Sequence, residues 1–321
     1  MIIENQLQVT DAVIDELRRA KNPRLREIMT SLIKHLHAFA REVKLTEPEF
    51  NAGINIIARM GQLTNESHNE VRLMAGSLGL SMLVCLLNNG DGSDNSEITT
   101  SANLLGPFWR EGSPVTPNGG SIVRSDTPGM PLFVKGYVRD TQGNPIADAE
   151  VDVWHASPVG LYENQDPEQA EMNLRGKFRT DKDGMFAFRS IKPAGYPVPM
   201  GGPVGDLLTA LDRHPFRPAH IHALIHKPGF KTITSQLYSH DDPKLDSDAQ
   251  FGVTRALVVT YVEHDGPAPD ADVKGMWCSF EHTFVLEPGE AWLPTPPVSK
   301  KAGETPDYVD AARDVRAKTH V

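Results

Sequence analysis

The spacing of apolar residues changes sharply along this chain, and this change limits the folds open to it. Up to about residue 100, apolar side chains recur every three or four positions, as in Leu25, Ile28 and Leu32, which indicates amphipathic helices. From about residue 130 they alternate in short runs separated by turns such as Asp183-Gly184. Strands do not alternate regularly with helices, which disfavours a parallel sheet. We predict an α+β chain, with a helical domain over residues 1–100 and an antiparallel β-sandwich over 101–321.

Local start and stop residues place the helices. Asn22-Pro23 predicts a helix start, since asparagine caps well and proline fits the first turn. Thr46 and Glu49 have the spacing of a capping box. A third, largely buried helix is predicted after Thr64-Asn65. It would carry Val71, Met74, Leu78, Met82 and Leu86. The polar, glycine-containing run over residues 88–96 then predicts a linker.

Short runs rich in β-formers predict the strands. They are Leu132–Arg139, Glu150–Trp154, Met185–Phe188, Ala219–Ile225, Leu257–Val262 and Phe280–Leu286. The proline-rich stretch Pro294–Pro297 predicts an extended C-terminal arm. A short helix is predicted beyond it, over Asp307–Lys318.

Length, charge and cysteine content narrow the function classes. A chain of 321 residues is long enough for about two domains. Its 32 Lys and Arg against 42 Asp and Glu give a net charge of −10, which repels nucleic acid and anionic membrane surfaces. Cys85 and Cys278 belong to no CxxC pair, and we expect buried free thiols. The N-terminus lacks signal-peptide features and the run Leu78–Leu87 is short for a membrane span; a soluble, cytoplasmic protein is expected.

The segment Arg217-Pro218-Ala219-His220-Ile221-His222 is the sharpest chemical feature. Residues two apart on a strand point to the same face, so His220 and His222 would present two imidazoles together, as metal ligands do. An HxH pattern also arises by chance in exposed or hydrogen-bonded histidines. The pattern therefore needs partners before it indicates a metal site.

Two tyrosines in turn-rich segments upstream are candidate partners, Tyr162 after Gly160-Leu161 and Tyr196 before Pro197. A phenol has an ordinary pKa near 10, so it ionises at neutral pH only beside a strong positive charge. A set of two tyrosines and two histidines would suit Fe(III) better than Zn(II), which prefers thiolate, imidazole and carboxylate ligands. A tyrosine taken alone is more often an amphipathic core or rim residue than a metal ligand.

An ordered series of motifs resembles the intradiol ring-cleavage dioxygenases. The motifs are Leu104-Leu105-Gly106-Pro107-Phe108-Trp109, Val151-Asp152-Val153-Trp154-His155-Ala156, Leu174-Arg175-Gly176, Tyr196-Pro197, Gly202-Pro203-Val204-Gly205, Arg213 through His222, and Asp246-Ser247-Asp248. The resemblance covers about residues 20 to 290. It is nearest to the hydroxyquinol 1,2-dioxygenase branch, followed by the catechol 1,2-dioxygenases, whereas protocatechuate 3,4-dioxygenases lack the helical N-terminal half.

The resemblance implies a mononuclear non-haem Fe(III) held by Tyr162, Tyr196, His220 and His222 on a β-sandwich. It implies O2-dependent cleavage of hydroxyquinol or a related catechol to a maleylacetate or cis,cis-muconate type of product, in the degradation of aromatic compounds. Tyr196 would also take a substrate proton. Arg217 would stabilise negative charge that develops beside the ring, although a plain ion pair explains this arginine equally well.

The same resemblance predicts a substrate pocket. Its wall would comprise Leu73, Gly76, Leu105, Gly106, Pro107, Phe108, Val198, Pro199, Gln236 and Gln250. Leu73 and Leu105 are also ordinary core residues, and Gln236 an ordinary strand residue. Gly76 stands where hydroxyquinol enzymes have an acid, and Gln250 stands where an apolar residue is usual. A pocket enlarged at Gly76 and polar at Gln250 would take a substituted catechol, or hold a third hydroxyl in another way.

Several alternatives stay open. The helical domain of the family forms a homodimer and holds a phospholipid, so the stripe of Leu25, Ile28 and Leu32 predicts dimerisation and leaves lipid binding open. A domain core explains the same stripe. A zinc hydrolase using His220 and His222 is a second enzyme class, but no HExxH motif accompanies them. A β-sandwich binding module that has lost its iron is the non-enzyme alternative.

Overall fold

The structure, a computed structural model, describes residues 2–89 and 99–302. Its internal contacts divide the chain into two compact units, residues 1–58 and 59–321. The predicted boundary at residue 100 stays a prediction. Most of the predicted linker over residues 88–96 and the whole predicted helix Asp307–Lys318 lie outside the described residues.

Six α-helices are found in the described residues. They are α1 (Gln6–Leu17), α2 (Pro23–Glu42), α3 (Glu47–Leu63), α4 (Glu70–Ser77), α5 (Leu80–Asn89) and α6 (Pro203–Ala210). The Asn22 side chain caps α2 by accepting a 3.0 Å hydrogen bond from the Leu25 N–H. Before α3, the Thr46 N–H donates to the Glu49 carboxylate at 2.9 Å. Both predicted helix starts are therefore confirmed. Helix α1 had no predicted start of its own.

The unit of residues 1–58 presents an apolar face on α2. Helices α1 and α2 are joined through Thr10, whose hydroxyl lies 3.0 Å from His37 Nδ1 and accepts from Arg41 at 3.1 Å. The apolar stripe of α2 remains about half exposed. Its members are Leu25, Ile28, Leu32, Leu36 and Phe39. Since α2 buries no side chain fully, the stripe is not the core of this unit.

The predicted third helix is broken into α4 and α5, which corrects the prediction of one continuous buried helix. Gly79, between them, has a φ of +74°, a conformation that glycine adopts without strain. Met74 and Met82 are buried, whereas Val71 and Leu78 are largely exposed. No single helix in the described residues is long and apolar enough to cross a membrane; α4 and α5 together reach that length and composition but are bent by 76°.

Eleven strands in the described residues form two main sheets and a small ribbon. They are β1 (Pro131–Asp140), β2 (Glu150–Trp154), β3 (Arg175–Arg179), β4 (Met185–Ile191), β5 (Tyr196–Pro197), β6 (Phe216–Arg217), β7 (His220–His226), β8 (Ile233–Ser239), β9 (Val258–Val259), β10 (Val262–Asp265) and β11 (Met276–Leu286). One sheet has the order β10-β11-β1-β4 and the other β3-β2-β7-β8-β9, while β5 and β6 pair separately.

The α+β class and the helical N-terminal region are confirmed, but the sheets are mixed rather than purely antiparallel. Strands β1 and β11 pair in parallel, as do β8 and β9. The predicted strand Leu257–Val262 is divided between β9 and β10, which belong to different sheets. Strands β3 and β8 were not predicted, because their polar residues mask the apolar alternation.

One hydrophobic core is filled from both main sheets. Burial alternates along β1, so that Leu132, Val134 and Val138 share the core with Ile221 and Ile225 of β7. Alternation of this kind is what directs one face of each sheet inward. The second sheet's β7 is buried along nearly its whole length, and it can therefore hold polar side chains away from solvent.

Both cysteines are free thiols, as predicted. Cys278 is buried, but Cys85 is only half-buried, because α5 is less buried than the sequence suggested.

Candidate metal centre and active site

Three segments carry the four predicted ligands to one place. His220 and His222 lie on β7, two residues apart, and β2 pairs with β7 so that Trp154 faces His222. Tyr162 lies in the loop that follows β2, and Tyr196 begins β5. Because residues two apart share a face of a strand, both imidazoles point toward the two phenols.

The four side-chain donor atoms converge. Tyr162 Oη lies 3.1 Å from Tyr196 Oη and 3.1 Å from His222 Nε2. The two Nε2 atoms of His220 and His222 are 3.2 Å apart, and each phenol oxygen lies 3.4 Å from His220 Nε2. Metal–ligand bonds of about 2.0–2.1 Å at angles of about 90–120° place neighbouring donors about 2.8–3.6 Å apart. The spacing fits a single metal ion.

Burial keeps both imidazoles neutral, the form that binds metals. It lowers the pKa of His220 to about 3, with help from the nearby Arg217 cation. Burial, then His220 and Arg217, lower the pKa of His222 well below its ordinary value. His220 Nδ1 lies 2.7 Å from the Pro218 carbonyl oxygen and can only donate to it, which leaves the Nε2 lone pair facing the cluster.

The two phenols need a cation to ionise. Burial and the neighbouring Tyr196 raise the pKa of Tyr162 well above its ordinary value, and burial also raises that of Tyr196. Two neutral imidazoles and two phenols in a buried cluster form a donor set that a highly charged metal ion would complete, because the ion favours phenolate. The donor set therefore fits Fe(III).

A buried network holds Arg217 beside this cluster. Its NH1 lies 3.2 Å from His220 Nε2, and its Nε and NH2 donate to the two Asp248 oxygens at 3.0 Å each. NH2 also donates to Gln236 Oε1 at 3.0 Å and to the Tyr238 hydroxyl at 3.1 Å. Burial works against the charge on Arg217, but Asp248 raises the arginine pKa well above its ordinary value.

The ion-pair and charge-stabilising interpretations of Arg217 are therefore compatible, since one guanidinium contacts both Asp248 and a candidate ligand. Sequence reasoning identified Arg217 and Gln236 but gave Tyr238 and Asp248 no role. The spacing of Gln236 and Tyr238, two apart on β8, was the available sign that both face the same side. Asp248 gave no local sign, because its partner is 31 residues away.

Aromatic rings enclose the cluster. The Trp154 and His222 rings stack with centroids 4.6 Å apart and planes 10° apart, and Phe108 packs on Tyr162 at 4.7 Å. These rings exclude water from the donor atoms and restrict their rotation. The sequence motifs contained Trp154, but only the pairing of β2 with β7 shows that its ring covers a histidine.

A cavity of about 1100 Å³ lies beside the cluster. Four predicted pocket residues line it: Leu105, Gly106, Pro107 and Gln250. A Cβ on Gly106 would lie 3.3 Å from His222 Cε1, so this stretch of the cavity wall packs directly against a candidate ligand. The other predicted wall residues are placed differently. Leu73, Phe108, Val198, Pro199 and Gln236 are buried, and Gly76 is buried against Gln250.

The expected enlargement of the pocket at Gly76 is wrong. A Cβ built on Gly76 would overlap the Gln250 carboxamide oxygen and lie within 2.8 Å of Gln250 Cδ. The space that the glycine leaves is therefore filled by the Gln250 carboxamide.

The sequence of this chain matches the profiles of a known protein family. The family profile described as "Dioxygenase" matches residues 104–288, and "Catechol dioxygenase N terminus" matches residues 22–95. The first covers more than half of the chain. The chain belongs to the intradiol ring-cleavage dioxygenase family, and it is an enzyme rather than a binding module.

Individual relatives agree with this assignment. The chain is 40% identical to a hydroxyquinol 1,2-dioxygenase of Rhizobium sp. over 280 residues, which is 86% of this chain and 93% of the relative. It is 40% identical to a catechol 1,2-dioxygenase of Candida albicans over 263 residues, covering 81% and 86%. The crystal structure of hydroxyquinol 1,2-dioxygenase from Pseudomonas putida DLL-E4 superposes with a TM-score of 0.79 at 39% identity, covering 88% of this chain and 99% of that one.

Proposed function

We propose that the protein is an Fe(III)-dependent dioxygenase that cleaves hydroxyquinol or a related catechol between its two adjacent hydroxyl-bearing carbons. Both oxygen atoms of O2 would enter the product, a maleylacetate or cis,cis-muconate type of diacid. The observation that carries the proposal is the convergence of the donor atoms of Tyr162, Tyr196, His220 and His222, each of which lies within 3.4 Å of at least two of the others. The hydroxyquinol and catechol dioxygenases among its relatives support the substrate class.

The chain's own residues would prepare the substrate. Iron bound by the four ligands would act as a Lewis acid toward both diol oxygens and make the ring reactive toward O2. Tyr196 is placed to take a substrate proton at Oη, since this atom lies at the cluster. Arg217 keeps a permanent positive charge 3.2 Å from His220 Nε2, where it stabilises negative charge on the bound diol. Phe108 and Trp154 exclude water.

The visible absorption spectrum of the iron-loaded protein tests this proposal. Phenolate bound to Fe(III) gives a red-brown charge-transfer band, and anaerobic addition of hydroxyquinol or catechol should shift it. Admission of O2 should then consume one O2 per diol. A colourless protein that holds iron would contradict the two-tyrosine site. A coloured protein that shifts with diol but takes up no O2 would contradict the reaction.

Comparison of kcat/KM for hydroxyquinol and for catechol decides which of the two is the preferred substrate. Relatives with about 40% identity act on hydroxyquinol and on catechol by name, so both substrates are measured with one enzyme preparation. We propose hydroxyquinol as the better substrate, because the cavity wall carries the polar Gln250. A higher kcat/KM for catechol would place the protein in the catechol branch instead.

We also propose a homodimer formed through the exposed stripe of α2. Isolated exposed apolar side chains are common, but a continuous stripe of five half-exposed ones is typical of an interaction surface. A phospholipid bound on the helices is the alternative occupant of the stripe, and lipid extraction followed by mass spectrometry detects it.

The proposed division into a helical domain over residues 1–100 and a catalytic domain over 101–321 is supported by the two family profiles. A cytoplasmic location stays a prediction.

A further inference from the structure

A short strap, residues 297–302, connects two separate parts of the second unit. At one end, the Lys300 N–H donates to the Glu66 carbonyl at 3.0 Å, ahead of α4. At the other end, the Ala302 N–H donates to the Asn164 carbonyl at 2.9 Å, in the loop that follows β2. The strap therefore joins the segment ahead of α4 to this loop.

The loop that follows β2 carries Tyr162 and is held by buried ion pairs. Glu163, directly after this tyrosine, accepts from Arg110 NH1 and from Arg175 Nε at 2.8 Å each, and all three charged side chains are buried. Arg175 NH2 also donates to Asn164 Oδ1 at 2.9 Å. The two residues that follow the candidate ligand are therefore fixed by contacts with other segments of the fold.

Lys301 extends the strap over the far end of the same loop. Its Nζ donates to the Pro167 carbonyl at 3.3 Å and also to the Gln169 carbonyl. The Gln169 side chain in turn donates from Nε2 to the Leu161 carbonyl at 3.2 Å, directly before Tyr162. In the described part of the chain the Lys301 ammonium pairs with no carboxylate, so its charge-assisted hydrogen bonds go to the loop alone.

The loop requires support of this kind from outside. Residues 155–174, between β2 and β3, contain no helix or strand, so their backbone is not held by a regular hydrogen-bond pattern. Ordering such a segment costs conformational entropy, and a metal ligand must be held to within about 0.5 Å of its binding position. The strap and the buried ion pairs supply this order from the two ends of the loop.

We propose that the strap is a positioning element for the candidate metal ligand Tyr162, and that Lys301 acts on this ligand through Gln169. The strap keeps the loop in the arrangement that binds iron, and it slows the loss of the metal. This inference rests on the proposed dioxygenase function, in which Tyr162 is a ligand, and it assigns two positioning residues outside the centre.

The test follows iron release from the whole iron-loaded chain after addition of excess EDTA, by the decay of the visible band. Lys301→Met removes the ammonium at similar side-chain length and should speed release about tenfold, the value of one charge-assisted hydrogen bond. Lys301→Arg keeps the donors and should restore a rate near that of the wild type. Lys300→Met is the matched control, since the Lys300 Nζ donates to the Glu66 carboxylate at 2.6 Å and not to the loop.

Gln169→Leu tests the route from Lys301 to the ligand. It should resemble Lys301→Met, because it removes the hydrogen bond to the Leu161 carbonyl. The double variant should speed release by less than the product of the two separate effects, since both substitutions interrupt one connected set of contacts. Fully multiplicative effects would overturn the route through Gln169.

Hydrogen–deuterium exchange of the metal-free protein gives a readout that is independent of iron and of turnover. Peptides that cover residues 162–170 should exchange faster in Lys301→Met but not in Lys300→Met, while peptides from β7 keep their wild-type rates. Unchanged iron release or unchanged loop exchange in Lys301→Met, or equal changes in Lys300→Met, would overturn the inference while the dioxygenase function stands. An iron-loaded wild type without the red-brown band would instead overturn the proposed function, and the inference with it.

Discussion

The donor cluster in the sandwich is buried within a single chain, whereas the apolar stripe of α2 is half exposed. Tyr162, Tyr196, His220 and His222 are each at most 3% exposed within a single chain, and protein groups surround them on several sides. Leu32 of the stripe is 51% exposed, and nothing in residues 1–58 covers it fully. The first region assembles its whole donor set within one chain. The second has the composition of an interface and requires another surface.

The difference indicates which properties each region controls. Changes at the cluster should alter metal binding and chemistry without altering assembly. Changes at the stripe should alter assembly and leave chemistry intact, since no candidate ligand lies in residues 1–58 of the described chain.

Removal of a ligand should give the largest effect. His222→Ala should lower iron affinity at least about 100-fold, because loss of an outer-sphere partner alone costs 10–100-fold. Iron content, the visible band and O2 uptake should disappear together. His226→Ala is the control, since His226 lies on the same strand but bonds Thr232 at 2.9 Å outside the cluster. Retention of the band in His222→Ala would break the proposed ligand set.

Neutralising the buried carboxylate beside Arg217 should give the next largest effect. Burial would raise the pKa of Asp248, but the Arg217 guanidinium and two backbone N–H groups lower it below its ordinary value. Asp248→Asn leaves an unpaired buried cation, which costs about 3–5 kcal/mol of unfolding free energy. Denaturant unfolding measures this loss. Asp246→Asn, in the same run but without a buried partner, should cost less than about 0.5 kcal/mol; equal losses would contradict the role given to Asp248.

These two predictions also show what the sequence could and could not reveal. The HxH pattern places His220 and His222 on one face by strand geometry alone, and the helix starts at Asn22 and Thr46 follow from local capping. Asp248 and the space at Gly76 depend on residues 31 and 174 positions away. Contacts of that range depend on the whole fold, so local patterns cannot predict them.

The parallel pairing of β1 with β11 was missed for a similar reason. Its partners, such as Leu132 and Cys278, are separated by most of the second unit. Alternation of apolar residues reveals that each strand has a buried face, but it carries no information about the direction of a distant neighbour. The two tyrosines are an intermediate case, because the resemblance to a family selected them and their residue type alone did not.

A charge in the stripe should affect assembly alone. Leu32→Glu should weaken the dimer at least about tenfold, because an ionised carboxylate would have to be buried in the interface. Sedimentation at several protein concentrations measures the change. Ala38→Glu, which introduces the same charge on the other side of α2, should leave the dimer intact. A monomeric wild type, or a dimer whose affinity is unchanged by Leu32→Glu, would show that the α2 stripe is not a dimer interface.

The last expected effect concerns pH and a residue remote from the centre. Burial lowers the pKa of His282 on β11 to about 4, while the unfolded chain has an ordinary value near 6.5. Protons therefore bind the unfolded state more readily, so this stability is present above pH 6.5 and is lost as the pH falls toward 4. Between pH 7 and pH 5 the loss should be about 2 kcal/mol.

His282→Gln removes the titrating group and should flatten the dependence of unfolding free energy on pH over that range, even if it lowers stability at pH 7. His264→Gln is the matched control, because His264 lies on the neighbouring strand β10 and is hydrogen-bonded to Ser279 at 2.8 Å. Denaturant unfolding of wild type and both variants at four pH values measures the slopes. A slope in His282→Gln equal to that of the wild type would show that other buried groups, such as His155 with its pKa lowered to about 4 by burial, dominate the acid sensitivity of the sandwich.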